Sequence, residues 1–128
     1  MLTSSEEYDW HGFYDFAEGI CEPDSKDETP YRVAIGRLYY SAFNIVREYA
    51  RDKYGFWSNN DVHSSLIDFF RKNSYDEYDS FSRDLKFLRD CRTDCDYKPT
   101  CLKNRDHMLD ECDRAAKRLI DFVDNASA

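Results

Sequence analysis

The longest apolar pattern in the chain lies between Thr29 and Gly55 and predicts a helix. Thr29 is the expected N-cap, Pro30 suits the first helical position, and Gly55 predicts a left-handed stop. Two adjoining apolar stripes recur at three- and four-residue steps. They are Ile35, Leu38, Ala42, Ile45 and Tyr49, and then Tyr39, Phe43, Val46 and Ala50. Because two stripes are too broad for one neighbour, we expect the central helix of a bundle; an amphipathic surface helix is the alternative.

Two shorter apolar patterns lie on either side of this segment. The first predicted helix opens at Ser4, with Glu7 three residues on as a capping-box partner. The later one runs from Val62 to about Lys72 and has Asp61 as its N-cap. Their expected apolar faces are Tyr8, Trp10, Phe13, Tyr14, Phe16, Ala17 and Ile20 in the first, and Leu66, Ile67, Phe69 and Phe70 in the later one.

The second half of the chain predicts two more helices with a proline between them. One begins near Asp76 or Ser80 and runs toward Cys95, and Pro99 disfavours its continuation. The last helix is capped by Thr100 and runs to about Asp124, with frayed residues after it. The expected buried residues are Phe81, Leu85, Phe87, Leu88, Cys91 and Cys95, and then Leu102, Met108, Leu109, Cys112, Ala115, Ala116, Leu119, Ile120 and Val123.

No segment shows the alternation of a strand, so the chain predicts an all-α protein. We expect an up-and-down bundle of four to five helices, formed by one domain over residues 1–128. A chain of 128 residues with 41% apolar residues, 4 glycines and 3 prolines fits this class. The net charge of −8 argues against broad binding to a nucleic-acid backbone, but it leaves room for a small basic pocket, or one formed between subunits.

The sequence also bears on the compartment. No apolar run approaches the ~20 residues that span a bilayer. The first ten residues, MLTSSEEYDW, lack the basic and apolar regions of a signal peptide. We therefore expect a cytoplasmic protein without a membrane partner, and we expect its 5 cysteines to be reduced.

The cysteines could form a zinc site, could be buried thiols, or could form a redox pair. Cys91, Cys95, Cys101 and Cys112 lie close together in the sequence, and four thiolates can hold zinc. None of the spacings is the two-residue knuckle of structural zinc sites, whereas Cys91 and Cys95 lie one helical turn apart. We therefore favour buried thiols over a zinc site, and a zinc site over a redox pair, and we expect no cofactor and no metal.

The segment from Leu85 to Pro99 carries the most unusual chemistry. Arg89 and Arg92 stand three apart and share a helix face, and Asp96 and Tyr97 follow where the helix ends. Two guanidiniums beside a phenol and a carboxylate suit a phosphate and the charge that builds up on it. The alternative is an exposed, ion-paired helix end.

Three motifs follow one another along the chain: Arg37-Leu38-Tyr39-Tyr40-Ser41-Ala42-Phe43, then His63, and then Arg92-Thr93-Asp94-Cys95-Asp96-Tyr97. In this order they resemble the HEPN superfamily, the higher-eukaryote and prokaryote nucleotide-binding helical domains, in its small single-domain prokaryotic branch. The resemblance covers roughly Pro30 to Val123. It implies a bundle of four or five helices, commonly a homodimer. It also implies either a metal-independent endoribonuclease of toxin–antitoxin or anti-phage type, or RNA or nucleotide binding without cleavage. A minimal nucleotidyltransferase is the implied partner.

The chain departs from the catalytic pattern at one position. Catalytic relatives carry an arginine and, after four to six residues, a histidine, but here Tyr97 follows Arg92 in that slot. An unperturbed tyrosine has a pKa of ~10 and is a poor base, so either the arginines activate Tyr97, or another group takes the proton, or the site only binds. His63 is the natural substitute: it would remove a proton from a ribose 2′-hydroxyl while Arg92 and Arg89 stabilise the phosphorane and Tyr97 or Asp96 orients them. The product would be a 2′,3′-cyclic phosphate. The alternative for His63 is helix-start hydrogen bonding beside Asp61.

The expected catalytic residues are therefore Arg92, Tyr97, His63 and Asp96, and the expected binding residues are Arg89, Arg37, Tyr40 and Lys98. Arg37 is alternatively an ion-pair partner inside the bundle. His11 and His107 are weaker candidates. Two functions stay open: an RNA-directed endoribonuclease, and a non-catalytic module that binds RNA, nucleotide or a nucleotidyltransferase partner.

Overall fold

The computed structural model describes residues 7–22, 26–73 and 76–127. Its five helices are α1 (His11–Ile20), α2 (Thr29–Tyr54), α3 (Val62–Lys72), α4 (Asp76–Tyr97) and α5 (Arg105–Ser127). These described ranges contain no strand. The prediction of an all-α bundle of four to five helices is therefore confirmed.

α2 is the central helix of this bundle. It packs against α1, α4 and α5, and 14 of its 26 residues are buried, which rules out the surface-helix alternative. It ends as predicted at Gly55, whose φ of 69° is left-handed. Its start differs by one position, because Thr29 is the first helical residue and not the cap. The N–H of Thr29 instead donates to Oδ1 of Asp27 at 3.0 Å.

α3 has the predicted bounds and the predicted cap. Oδ1 of Asp61 accepts hydrogen bonds from the backbone N–H groups of His63 and Ser64 at 3.1 and 3.2 Å. These bonds satisfy donors that the first turn of a helix leaves unpaired. Leu66 and Phe70 are fully buried against the core, and α3 packs against α4.

The connection between α4 and α5 differs from the prediction, because Thr100 caps no helix and α5 begins only at Arg105. The reason lies in α2. The guanidinium of Arg32 donates to the backbone carbonyls of Cys95, Lys98 and Thr100, each at 2.8 Å. It therefore fixes the chain in a loop after α4 and satisfies carbonyls that the helix end leaves unpaired. α5 then continues through Ser127 instead of fraying after Asp124.

Helix α1 is shorter than expected, and its predicted start at Ser4 lies outside the described residues. The helix begins at His11, whose N–H donates to Oδ1 of Asp9 at 3.0 Å. Only Ala17 is buried, while Phe16 is 56% exposed. Phe87 on α4 is also exposed, so its predicted burial was wrong.

The other predicted core residues of α2, α4 and α5 are buried or half-buried. None of the helices in this part of the chain combines the length and the apolar character needed to cross a membrane.

Candidate functional site

His63 is the second residue of α3, and its imidazole packs against α2. Oη of Tyr39 lies 2.5 Å from Nδ1 of the ring, and the ring of Phe43 stacks on it at a centroid distance of 4.2 Å. Only the backbone N–H of His63 bonds to Asp61. The imidazole itself is therefore held by the aromatic side chains of α2 and not by the helix start.

The hydrogen bond to Tyr39 defines the protonation of this ring. Burial lowers the pKa of His63, and the guanidiniums of Arg89 and Arg92 lower it further, so the ring is neutral at pH 7. Burial raises the pKa of Tyr39, which keeps its proton. Tyr39 makes no other hydrogen bond to a described residue, so we assign its O–H as the donor to Nδ1. On this assignment the ring proton lies on Nε2, and His63 offers a donor rather than a base.

Arg92 reaches the same place from α4. Its guanidinium carbon lies 5.3 Å from the ring centroid of Tyr39 and 5.6 Å from that of Tyr40. The side chain is only 13% exposed, and its contact with Oδ2 of Asp96, at 3.5 Å, is long for a hydrogen bond. The structure therefore brings Arg92, Tyr39 and His63 together at the meeting point of α2, α3 and α4.

Arg89 is engaged elsewhere, at the start of α3. It donates to Oγ of Ser64 at 2.8 Å and to Oδ2 of Asp61 at 3.2 Å. The hydroxyl and backbone N–H of Ser64, followed by Arg89, lower the pKa of Asp61 to about 2. Arg89 is therefore ion-paired, which was the alternative to a phosphate-binding role in the sequence analysis.

Two other predicted site residues lie apart from His63. Tyr97 is 73% exposed, and no contact among the described residues joins it to His63 or Arg92. Lys98 pairs with Oδ2 of Asp94 at 3.4 Å. The structure does not bring Tyr97 or Lys98 into the group formed by Arg92, Tyr39 and His63.

An open cleft of about 390 Å³ lies where α1, α2 and α3 meet, and we call it the aromatic cleft. Its lining residues are Trp10, Phe13, Arg37, Tyr40, Phe43, Asn44, Arg47, Val62 and His63. None of them is a carboxylate, although the chain has 26 acidic residues. Four other clefts on the described surface each include at least one carboxylate. The aromatic cleft is therefore a local cationic site on an acidic protein.

The arginines of this cleft lie against aromatic rings. The guanidinium carbon of Arg37 is 4.8 Å from the ring centroid of Phe13, and that of Arg47 is 5.7 Å from Phe43. Neither arginine pairs with a carboxylate of any described residue, so the ion-pair alternative for Arg37 is not what the structure has. Nε of Arg37 and Nε of Arg92 are buried atoms without a hydrogen-bond partner in the described part of the chain. Both guanidiniums lie within 6.0 Å of the Tyr40 ring.

The sequence analysis missed Arg47, Trp10 and Phe13. Arg47 had a signal, because Arg37, Tyr40 and Arg47 follow one another on one face of a helix at steps of three and seven residues. Trp10 and Phe13 reach the cleft only through the packing of α1 on α2, which no local pattern specifies.

The cysteines and the two remaining histidines lie outside this cleft. Cys91, Cys95 and Cys112 are buried and Cys101 is exposed. Hydrogen bonding with Cys112 lowers the pKa of Cys91, and burial raises that of Cys95 to about 12. Within the described ranges, no group of three or more His, Cys, Asp or Glu residues is arranged to hold a metal ion. His107 is exposed, and His11 bonds to Asp9 and Asp124.

Comparisons of the chain with protein-family models, with curated proteins and with solved structures found no match. The chemistry of the site is therefore read from its geometry. Guanidinium groups and the Nε2–H of His63 are all hydrogen-bond donors. Donors and positive charge beside aromatic rings suit a ligand that carries both an anion and a flat face.

Proposed function

We propose that this protein is a HEPN-like, RNA-directed helical protein that binds RNA at the aromatic cleft. The observation that carries the proposal is the absence of carboxylates among the described residues that line the cleft, which include Arg37, Arg47 and His63, on a chain with a net charge of −8. Guanidinium groups recognise phosphate well, because their donor geometry matches two phosphate oxygens.

The acidic remainder of the surface shapes this binding. A polymer of phosphates is repelled by most of the protein and attracted at one place. Binding therefore depends on a few contacts near Arg37 and Arg47, and it weakens as salt rises because each neutralised phosphate releases counterions. The number of contacts is small, so the slope of affinity against salt is shallow compared with that of a basic RNA-binding protein.

The test compares two variants that change the net charge equally. Arg37→Gln removes a cleft guanidinium, and Arg83→Gln removes an exposed one on α4 outside the cleft. We expect Arg37→Gln to weaken binding of a labelled single-stranded RNA about tenfold in fluorescence anisotropy, which corresponds to ~1.4 kcal/mol. Arg83→Gln stays close to the parent protein. Equal effects of the two substitutions would contradict a site at the cleft.

Metal-independent RNA cleavage is the second candidate, and the pairing of Tyr39 with His63 beside Arg92 favours it. As base, Nε2 of His63 takes the 2′-hydroxyl proton, the 2′-oxygen attacks phosphorus, and the 5′-oxygen leaves with a proton from solvent. Nε2 must first be free of its own proton, so the tautomer in which Tyr39 donates to Nδ1 has to change. This requirement makes binding the better-supported function.

Incubation of labelled tRNA or mRNA with EDTA present tests cleavage. Products with 2′,3′-cyclic phosphate ends that disappear in both Arg92→Ala and His63→Gln would support the enzyme. If the RNA stays intact across several substrates while RNA binding is retained, the cleavage function is excluded and only the binding function remains.

A homodimer and a minimal nucleotidyltransferase partner are part of the same proposal, because the HEPN resemblance implies both. A dimer that joins two Arg92 segments would enlarge the cationic surface. Light scattering of the purified chain measures the oligomer, and co-purification with a candidate nucleotidyltransferase tests the partner. A monomer at all concentrations would remove the shared site.

A further inference from the structure

We infer that the aromatic cleft takes one unpaired nucleotide of a single-stranded RNA, with the base against Trp10 and Phe13 and the flanking phosphates at Arg37 and Arg47. This inference rests on the proposed RNA binding and specifies the form of RNA that is bound.

The size of the cleft limits what it accommodates. About 390 Å³ lies at the lower end of the range for small-ligand pockets, which run from ~300 to ~1,000 Å³. A duplex cannot place a base face there, because its bases stack on one another and expose only their edges in the grooves. An unpaired base has free faces, which proteins commonly stack on aromatic rings or guanidinium planes.

The walls of the cleft supply such faces. The rings of Trp10 and Phe13 meet nearly at right angles, with centroids 5.1 Å apart and an interplanar angle of 79°, so they form a corner. Both side chains are only half-buried, as is Tyr40 on the opposite helix. Stacking of one base on an aromatic side chain contributes enough affinity to detect and tolerates any base. A strand preference without a strong sequence preference is therefore expected.

The two arginines of the cleft contact different rings, Arg37 at 4.8 Å from the Phe13 centroid and Arg47 at 5.7 Å from the Phe43 centroid. Arg37 and Arg47 are ten residues apart on α2, which corresponds to about 15 Å along the helix axis. A strand that places one base in the corner thus meets a cation on each side. Arg47 is exposed and Arg37 is half-buried, so solvent and a ligand can reach both side chains.

The experiment removes the flat face and keeps the apolar packing. Phe13→Leu lies in the cleft, and Phe16→Leu is the matched control on the same helix, where the ring is 56% exposed. Three labelled probes are used: a single-stranded RNA, its duplex with the complementary strand, and the same strand without bases at its centre. We expect Phe13→Leu to weaken single-strand binding about tenfold, with Phe16→Leu unchanged. The duplex and the abasic strand bind the parent protein about as weakly as the single strand binds Phe13→Leu.

The outcomes distinguish a failure of the single-nucleotide inference from a failure of the proposed RNA binding. Equal binding of all three probes, with a loss in Arg37→Gln, overturns the inference and leaves RNA binding standing. No binding of any probe by the parent protein overturns both. A free nucleoside monophosphate that competes as strongly as the strand would show that the cleft recognises a nucleotide rather than RNA, and it would also overturn the inference.

A second variant covers the case in which Phe13→Leu unfolds, which circular dichroism would detect. Arg47→Gln changes an exposed side chain, so the fold is expected to persist. We expect it to weaken single-strand binding about fivefold, with a smaller loss for the abasic strand. Unchanged binding in a folded Arg47→Gln protein would overturn the placement of the strand.

Discussion

Nε2 of His11 lies 2.9 Å from Oδ1 of Asp124, which joins the first residue of α1 to the last turn of α5. Nδ1 of the same ring lies 2.7 Å from Oδ1 of Asp9. Only a doubly protonated imidazole donates to both carboxylates. Burial alone would lower the pKa of His11, but the hydrogen bonds to Asp9 and Asp124 outweigh it and raise the pKa. Because α1 carries Phe13, this contact holds one wall of the aromatic cleft.

This arrangement predicts a pH-dependent contribution to stability. The pKa of His11 is higher in the folded state than its unfolded value of ~6.5, so the contribution is full below pH ~6.5 and is lost as pH rises through the folded value. The His11→Asn variant is expected to be destabilised at low pH by less than ~1 kcal/mol, because the side chain is 41% exposed and screened by solvent.

Urea unfolding of the parent and His11→Asn proteins across this pH range measures the difference. Other charged groups line a separate cleft around His11, such as Glu7, Glu48 and Arg51, and they are common to both proteins. The difference between the two unfolding free energies therefore isolates His11. A difference that stays constant across the range would contradict the double hydrogen bond.

His63 is predicted to respond to pH in the opposite direction. Its pKa is lower in the folded state, so the unfolded chain binds the proton first. The contribution of His63 to the free energy of unfolding is full above pH ~6.5 and is lost as pH falls toward the pKa of the folded state.

Nitrogen NMR of the His63 imidazole is expected to show protonated Nε2 and unprotonated Nδ1 at neutral pH. The opposite tautomer would mean that Tyr39 accepts the hydrogen bond, and it would favour cleavage over binding.

Tyr39→Phe tests the same hydrogen bond by removing its donor. We expect a loss of about 1 kcal/mol in the free energy of unfolding, since Nδ1 of His63 is left without a partner. The NMR signals should then report a mixture of the two neutral tautomers. An imidazole that keeps the single tautomer of the parent would show that another group orients it.

Arg32→Ala is predicted to be the most destabilising of the exposed or half-exposed arginine substitutions. Its guanidinium donates to three backbone carbonyls after α4 and pairs with Oε1 of Glu28 at 2.7 Å. We expect a loss of about 2 kcal/mol in urea unfolding. Arg32→Lys recovers little of it, because a single ammonium cannot reach carbonyls on several sides.

Arg114→Ala is the matched control for Arg32. Arg114 is 66% exposed and makes an i,i+4 pair with Asp110, so its removal should cost no more than ~0.5 kcal/mol. Comparable losses in the Arg32 and Arg114 variants would show that the loop after α4 is held by other contacts.

Gly36→Ala is predicted to stabilise the protein by about 0.5–1 kcal/mol. Glycine in a helix interior is unfavourable, and a Cβ at this position would lie 4.0 Å from Cγ of Arg92, an ordinary contact. Gly36→Leu, by contrast, should displace Arg92 from the Tyr39 and Tyr40 rings and lower the melting temperature. Thermal unfolding checks both, and a destabilised alanine variant would mean that Arg92 is packed more tightly than this distance indicates.

Sequence patterns predicted the elements whose determinants are local. The double apolar stripe of α2, the Gly55 stop and the Asp61 cap all depend on residues within a turn or two of each other, and all three were predicted. Thr100 was wrong as a cap because a distant side chain, Arg32, determines the path of the chain there. Local cap chemistry carries no information about such a contact.

The candidate site was predicted in part for the same reason. The order of motifs pointed to Arg92, His63 and Tyr40, which the structure places near Tyr39. Tyr97 follows Arg92 closely in sequence, yet the end of α4 directs it into solvent. Trp10 and Phe13 come from a helix whose packing on α2 had no signature in the sequence.

The loop that follows α4 is anchored through main-chain oxygens, and this has an evolutionary consequence. Arg32 contacts the carbonyls of residues 95, 98 and 100, so the identities of those side chains do not affect the anchor. We expect positions 98 and 100 to tolerate substitution, whereas positions 28 and 32 should change together or not at all. The most constrained feature of this connection thus lies on another helix, more than sixty residues earlier in the chain.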